Sequence, residues 1–337
     1  MKHAMQKLFQ GQDLNAEEAV ILFESVLLGE QSDIEISAIL TALKVKGETG
    51  TEISSLVKVL RQHAQPIDKP SGVYADCCGT GGDGLGTFNV STAAALTVPA
   101  CGLTMVKHGN RSSSSPSGSA DIIEQSGVPL DLTPTQCSEL LNKENFCFLF
   151  APAYHPLVGH VMPVRKTLAT ATIFNLAGPL ANPTAPEIQL MGVCEQRLLK
   201  PMAEVLQQIG CRRALVVYGS GLDEVALHGP TEAILVDGDN IEAMQISPAD
   251  FGVTTQPLDR IQLHKDDNPL QVFQEVIAGT ASSAKLDMVA INAGSLLWLA
   301  ELADNLKDGY AMALDALTSG KVASKLAAIQ RHLGTGS

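Results

Sequence analysis

The sequence predicts an α/β fold class: a small N-terminal helical domain and a larger α/β domain with a mostly parallel central sheet. Two observations carry this. The first ~65 residues hold three apolar stripes at helical spacing. From Tyr74 onward, short apolar runs alternate with Gly-rich turns and Ala-rich stretches, and strands separated by helices imply parallel pairing. A length of 337 residues leaves room for about two cores.

The elements follow in order. Asn15 with Glu18, Ser32 with Glu35 and Thr49 with Glu52 each have capping-box spacing. Behind these caps, apolar residues recur at i, i+3 and i+4: Leu22, Phe23, Val26; Ile36, Ile39, Leu40; Ile53, Leu56, Val57. Three helices are therefore expected, closed off near Pro66 and Pro70. The domains are expected at 1–69, helical and joined by a helical segment near 159–186, and 70–337, α/β. One apolar face of the helical unit suits a subunit interface, and an internal core explains it equally. Strands are expected at 103–106, 146–150, 188–193, 214–217, 233–236 and 288–291, with helices at 201–209 and 270–278.

Composition excludes several classes. No apolar run approaches the ~18 residues of a membrane span, and the first residues, MKHAMQKLFQGQD, lack the apolar stretch of a signal peptide. Seven cysteines without a C-x-x-C pair read as reduced thiols of a cytoplasmic protein. A net charge of −13 argues against nucleic acid as a partner.

The chemistry gathers in three segments. Gly79-Thr80-Gly81-Gly82-Asp83-Gly84 fits the G-x-G-x-x-G pattern. A dinucleotide-binding turn would enter its helix at once and find an acidic ribose ligand ~20 residues on. Here the helix waits until about Ser91-Thr92, and the next strand ends in Lys107-His108. The P-loop pattern is also absent. An amide nest followed by a helix N-terminus still binds anions, and Asp83 suits a phosphate that arrives with magnesium. An ordinary Gly-rich turn with a capping serine is the plain alternative. Next, Lys107 to Ser115 (KHGNRSSSS) packs two cations and four hydroxyls beyond a strand, and Ser117-Gly118-Ser119 leads into another helix. Finally, Asp223-Glu224 follow a glycine turn after a strand and offer hard oxygen ligands of the kind Mg²⁺ takes beside phosphates.

Together the words GTGGDG…TFNVST, KHGNRS…SGSAD, FAPAYHP…MPVR, TIFNLAGPLANP and GLDEVALHGPT closely resemble the anthranilate phosphoribosyltransferase family over nearly the whole chain. The resemblance implies a nucleoside phosphorylase/phosphoribosyltransferase-like fold and a homodimer. It also implies Mg²⁺ and transfer of the 5-phosphoribosyl group of PRPP (5-phosphoribosyl-1-pyrophosphate) to the amine of anthranilate in tryptophan biosynthesis. By matching position it implies PRPP contacts from Gly79, Gly82, Asp83, Thr87, Asn89, Val90, Ser91, Thr92, Lys107, His108, Gly109, Asn110, Arg111, Ser112, Ser113, Ser114, Ser115 and Ser119. Anthranilate would meet Gly79, His108, Asn110, Tyr154, His155, Arg165 and Gly178. Ser91, Asp223 and Glu224 would serve the metal, and Lys107, Asp223 and Glu224 catalysis.

Departures from the family pattern are Ala171, where the family usually has Arg, and Ser113 and Pro116 in the Ser-rich loop. Arg165 borders the apolar face of Val161, Val164 and Leu168. It either covers the core with its stem or aims a guanidinium at a carboxylate. A pyrimidine nucleoside phosphorylase is the competing enzyme reading; it would leave Asp223-Glu224 without a purpose. A degenerate nucleic-acid-binding relative would call for a basic surface, which this chain lacks.

Overall fold

The computed structural model describes residues 2–111 and 117–336; Ser112, Ser113, Ser114, Ser115 and Pro116 lie outside the described residues. Four helices open the chain: α1 Lys2–Phe9, α2 Ala16–Leu27, α3 Asp33–Lys46 and α4 Gly50–Gln62. The three anticipated capping boxes close in both directions. At the first, Asn15 accepts from Glu18 N at 2.9 Å and Glu18 accepts from Asn15 N at 3.0 Å. The helix α1 was not anticipated; Ala4 and Leu8 alone mark its buried side.

The α/β part begins with β1 Tyr74–Gly79, α5 Val90–Ala100, β2 Thr104–Gly109, α6 Ser119–Gln125, α7 Pro134–Glu144 and β3 Phe146–Phe150. A helical excursion follows: α8 Ala151–Tyr154, a 3₁₀ turn at Pro156–His160, α9 Met162–Leu168, α10 Ile173–Ala177 and a 3₁₀ turn at Gly178–Leu180. The chain returns through β4 Ile188–Gly192, α11 Leu199–Gln208, β5 Arg213–Tyr218, β6 Thr231–Asp237 and β7 Asn240–Ile246. It ends with α12 Pro269–Ile277, α13 Ser283–Leu299, α14 Leu306–Thr318 and α15 Lys321–Leu333.

The seven strands lie in the order β3-β2-β1-β4-β5-β6-β7. Pairing is parallel from β3 to β5, and antiparallel from β5 to β7. Two expectations need correction here. Residues 288–291 are not a strand but part of α13, which is buried nearly all round; a short, fully buried apolar run cannot be assigned by periodicity. Lys107 and His108 lie inside β2 rather than beyond it.

The sheet divides two cores. Along β5, Leu215 and Val217 face the core built with α5 and α13, while Ala214 and Val216 face the other, the period-2 alternation of a sheet covered on both sides. The second core joins Phe23, Leu40 and Leu56 of the first helices to Val161 and Ile173 of the excursion and Met202 of α11.

Candidate active site

β1 and β4 are adjacent and parallel, with Gly79 and Gly192 paired at their C-terminal ends. The chain moves outward from β1 through β2 and β3, then crosses to β4 and moves the other way. The crevice at such a switch point is where open α/β sheets bind ligands. Here the loop after β5 closes over it. Ser220 at φ +50° and Gly221 at φ +105° reverse the chain, Gly219 and Leu222 exchange backbone bonds of 2.9 and 3.1 Å, and Asp223 is laid across both strand ends. A Cβ on Gly79 would run into the Asp223 carboxylate, and one on Gly192 into the Asp223 backbone carbonyl. Asn292 of α13 holds the far side of the loop, accepting from Val225 N at 2.9 Å and donating to Val225 O at 3.1 Å.

The glycine loop meets this acidic loop directly. Gly81 N donates to Asp223 Oδ2 at 2.8 Å, and Ser91 N, in the first turn of α5, donates to Glu224 Oε1 at 3.2 Å. Gly81, Gly82, Gly84 and Gly86 all have positive φ, which folds the loop into a nest rather than a direct strand-to-helix turn. Thr87 bridges to Gln262, Asn89 Nδ2 donates to Ser117 O at 3.1 Å, and Val90 and Thr92 are buried. Burial and the neighbouring Asp83 push Asp223 up to about 6. Burial and Asp223 hold Glu224 well above the ordinary carboxylate range, against the pull of Lys107. Hard oxygens crowded by like charge are what a divalent cation relieves. Among the described residues no three His, Cys, Asp or Glu side chains form a complete ligand cluster. A pair of carboxylates completed by phosphate oxygens is the usual protein share of a Mg²⁺ site, so the donor set fits.

Lys107 stands on β2, 2% exposed, with Nζ donating to Cys77 O at 2.6 Å. Burial opposes its charge, but the surrounding negative groups, Asp76 and Glu224 among them, outweigh this and raise its pKa. Gly109 ends the strand where a Cβ would sit 2.6 Å from Phe148 Cζ and 2.5 Å from Ser119 Oγ. Ser119 Oγ in turn donates to Asn110 O at 3.2 Å.

The neighbouring side carries two imidazoles held neutral. The rings of His108 and His155 meet edge to face at 5.2 Å. Burial, then His155, holds His108 well below the usual imidazole range, and burial holds His155 down to about 4. His108 Nε2 and both His155 nitrogens lack a hydrogen-bond partner among the described residues; the backbone of Leu60 and Ala181 approaches His155 without reaching hydrogen-bond geometry. The Gly178–Leu180 turn is pinned beside them. Pro179 O accepts from Gln189 Nε2 at 2.9 Å, and Leu180 O from Arg61 Nε at 3.0 Å. Arg165 lies half-buried, 5.4 Å over the Phe174 ring, with Nη2 donating to Asn175 Oδ1 at 3.3 Å. Its guanidinium thus rests on the helix leading to Gly178.

Two anticipated residues turn elsewhere. Arg111 Nη2 donates to Glu124 Oε2 at 2.8 Å, with Nη1 on Asp121, so its charge is spent on α6. Tyr154 is buried among Val106, Leu141 and Leu149, with its hydroxyl on Cys137 Sγ at 3.3 Å. Sequence reasoning missed Asp76, Asn182 and Gly192. The signal for Asp76 was present: a lone acid inside the apolar strand word YADCC, where burial demands donors.

A helical bundle beside an α/β sheet, with a glycine nest, a buried lysine and a carboxylate pair over the switch point, defines a glycosyl transferase of two-domain type. The profile of the glycosyl transferase family helical bundle domain matches residues 2–64, and that of the family's a/b domain residues 71–323. An anthranilate phosphoribosyltransferase of Sorangium cellulosum is 46% identical over 97% of this chain and 94% of its own. The crystal structure of the Thermus thermophilus enzyme of that name superposes with a TM-score of 0.92 at 36% identity, covering 98% of this chain and 99% of its own. That of Saccharomyces cerevisiae, in complex with PRPP and Mg, gives 0.87 at 27% identity, covering 98% and 97%. The chain belongs to the anthranilate phosphoribosyltransferase family.

Proposed function

We propose that this chain transfers the 5-phosphoribosyl group of PRPP to the amine of anthranilate, giving N-(5-phosphoribosyl)anthranilate and pyrophosphate in tryptophan biosynthesis. The observation that carries the reading is the meeting of Asp223 and Glu224 with the amides of Gly81 and Ser91 over the switch point. The amine nitrogen bonds to ribose C1 as the C1–O bond to pyrophosphate breaks with its electron pair, and the amine loses a proton. An aromatic amine is uncharged near pH 7, so the larger task is charge on the leaving group. Magnesium, when bound, offsets that charge.

Asp223 and Glu224, with Ser91, hold the ion. Lys107 and the loop amides present fixed positive ends to the phosphates. His108, His155 and Gly178 give the aromatic ring a dry, neutral surface, and Arg165 pairs with its carboxylate. The division of domains falls between 69 and 70, with 159–186 returning to the helical part.

The chain acts as a homodimer in the cytoplasm. An apolar groove of about 970 Å³ runs between α1, α3 and α9, and Ile34 and Val45 beside it are each 83% exposed. A patch of this kind suits a second subunit. All seven cysteines are free, as in a reducing compartment.

The test is anthranilate fluorescence. It should fall when PRPP and Mg²⁺ are both present and stay constant when either is left out. A constant signal with all three together overturns the reading.

A further inference from the structure

The sheet comes apart at one place. β1 and β2 pair at Tyr74 with Thr104 and at Ala75 with Met105, and there their ladder ends. Their outer pairings continue, β1 with β4 to Gly79–Gly192 and β2 with β3 to Gly109–Phe150. Parallel strands that part inside a buried sheet strand backbone groups that must find other partners. Side chains supply them. His108 N donates to Asp76 Oδ1 at 3.3 Å, Asn182 Nδ2 donates to Val106 O at 2.8 Å, and Lys107 Nζ takes Cys77 O.

The same Asn182 amide donates to Asp76 Oδ2 at 2.9 Å. Its Oδ1 accepts from Thr184 N at 3.0 Å and Thr184 Oγ1 at 2.8 Å, which fixes which way the amide faces. Asp76, Asn182 and Thr184 are each 0% exposed. Both Asp76 oxygens are thus engaged inside the protein.

We infer that Asp76 and Asn182 form a wedge between β1 and β2 that positions Lys107 and His108 for the reaction. This rests on the reading of Lys107 given above. A hydrophobic pair in the same place would let the β1–β2 ladder continue past Met105 and draw Lys107 towards β1. A buried carboxylate that takes the His108 amide instead holds β2 off by the length of a side chain. The wedge touches no substrate; it acts through the residues it places.

Coupling tests it. Asp76→Asn keeps shape and an acceptor but puts an amide donor against Asn182. It should lower kcat/KM for PRPP about ten- to a hundredfold, the scale of a displacement near 1 Å. Thr184→Val, which keeps volume and removes one of the two bonds that fix the Asn182 amide, should lower it about threefold to tenfold. In a Lys107→Met background each change should cost less than about twofold in kcat/KM for PRPP, because the group that it places against the phosphates is gone. Equal losses with and without Lys107 would make the wedge a stability device only and overturn the inference. So would Thr184→Val with wild-type kinetics, a result that stands even if Asp76→Asn fails to fold. Lys107→Met with wild-type activity would overturn the reading of Lys107 and the wedge with it, a pattern distinct from either of the others.

Discussion

Arg165 is built into its place twice, by the Phe174 ring and by Asn175, and that support is geometric rather than merely electrostatic. Lysine keeps the charge but neither the planar stack nor the fork. Arg165→Lys should raise the KM for anthranilate and leave that for PRPP nearly unchanged. The loss of a charged hydrogen bond corresponds to about 1.5–3 kcal/mol, or roughly ten- to a hundredfold in kcat/KM. Melting should move by only a few degrees; a large fall in melting with normal anthranilate binding would make Arg165 a packing residue. Asp223 allows a sharper measurement. Its pKa is raised from 3.8 to about 6, first by burial and then by Asp83. The folded protein therefore holds this proton more tightly than the unfolded chain. The associated stability is full below about pH 4 and is lost as pH rises through about 6. In chelator, the stability advantage of Asp223→Asn over the parent should grow between those limits, on the order of 2–3 kcal/mol, and then level. Above pH 7, Mg²⁺ with PRPP should raise the melting temperature of the parent and not of the variant. A pH-independent difference would show that the crowding is not felt. Residue-scale legibility was uneven. That Asp223 and Glu224 would meet the glycine loop and the start of α5 was legible, because a carboxylate pair on a glycine turn has few other uses. The direction of the Tyr154 side chain was not, because a sequence word does not say which way a side chain turns.

At the scale of elements, the two glycines under the acidic loop separate space from strain. Gly192 has an ordinary φ, but a Cβ would occupy the path of the Asp223 backbone. Gly81 sits at φ +67° with open space around it. Gly192→Ala should lift the 219–224 loop and abolish Mg²⁺-dependent turnover while β1 and β4 remain paired. Gly81→Ala should cost about 1–2 kcal/mol of local strain and leave measurable activity. Equal behaviour of the two, assayed side by side for turnover and melting, would refute the close-approach argument. The helices with capping boxes were legible because Asn15, Ser32 and Thr49 carry their start signal locally. β3 to β6 were legible from apolar runs between breakers. β7 was not, since six of its seven residues are exposed or half-buried, and a polar edge strand resembles a loop. Residues 288–291 misled for the opposite reason: α13 is apolar on every side, so length rather than rhythm had to decide. The capture of β1 by β4 across the intervening excursion was not legible at all, because strand order depends on contacts 100 residues apart.

For the whole molecule, the proposed function reconciles a charge of −13 with anionic substrates by keeping the positive groups local: Lys107, the amides of the nest and a divalent ion. Surface charge should then matter to encounter rate more than to turnover. Raising ionic strength should change kcat/KM for PRPP and leave kcat nearly constant; a parallel fall in both would place the salt effect in the chemistry. The exposed groove on α1 and α3 has its own test. Ile34→Glu with Val45→Glu should shift the protein from dimer to monomer by light scattering, and an unchanged mass would put the interface elsewhere.

The second core also has a timetable. Its first contributors, such as Leu8, Phe23 and Leu40, leave the ribosome early, but they close upon Val161, Ile173, Met191 and Met202. Well over half of the polypeptide must be synthesised before those early helices can complete their burial. Until then four amphipathic segments wait with oily sides open, which is a natural place for a chaperone to hold the nascent chain. A fragment ending near residue 70 should accordingly be helical by circular dichroism yet melt without a cooperative transition, whereas one extended through α11 should gain a sharp one.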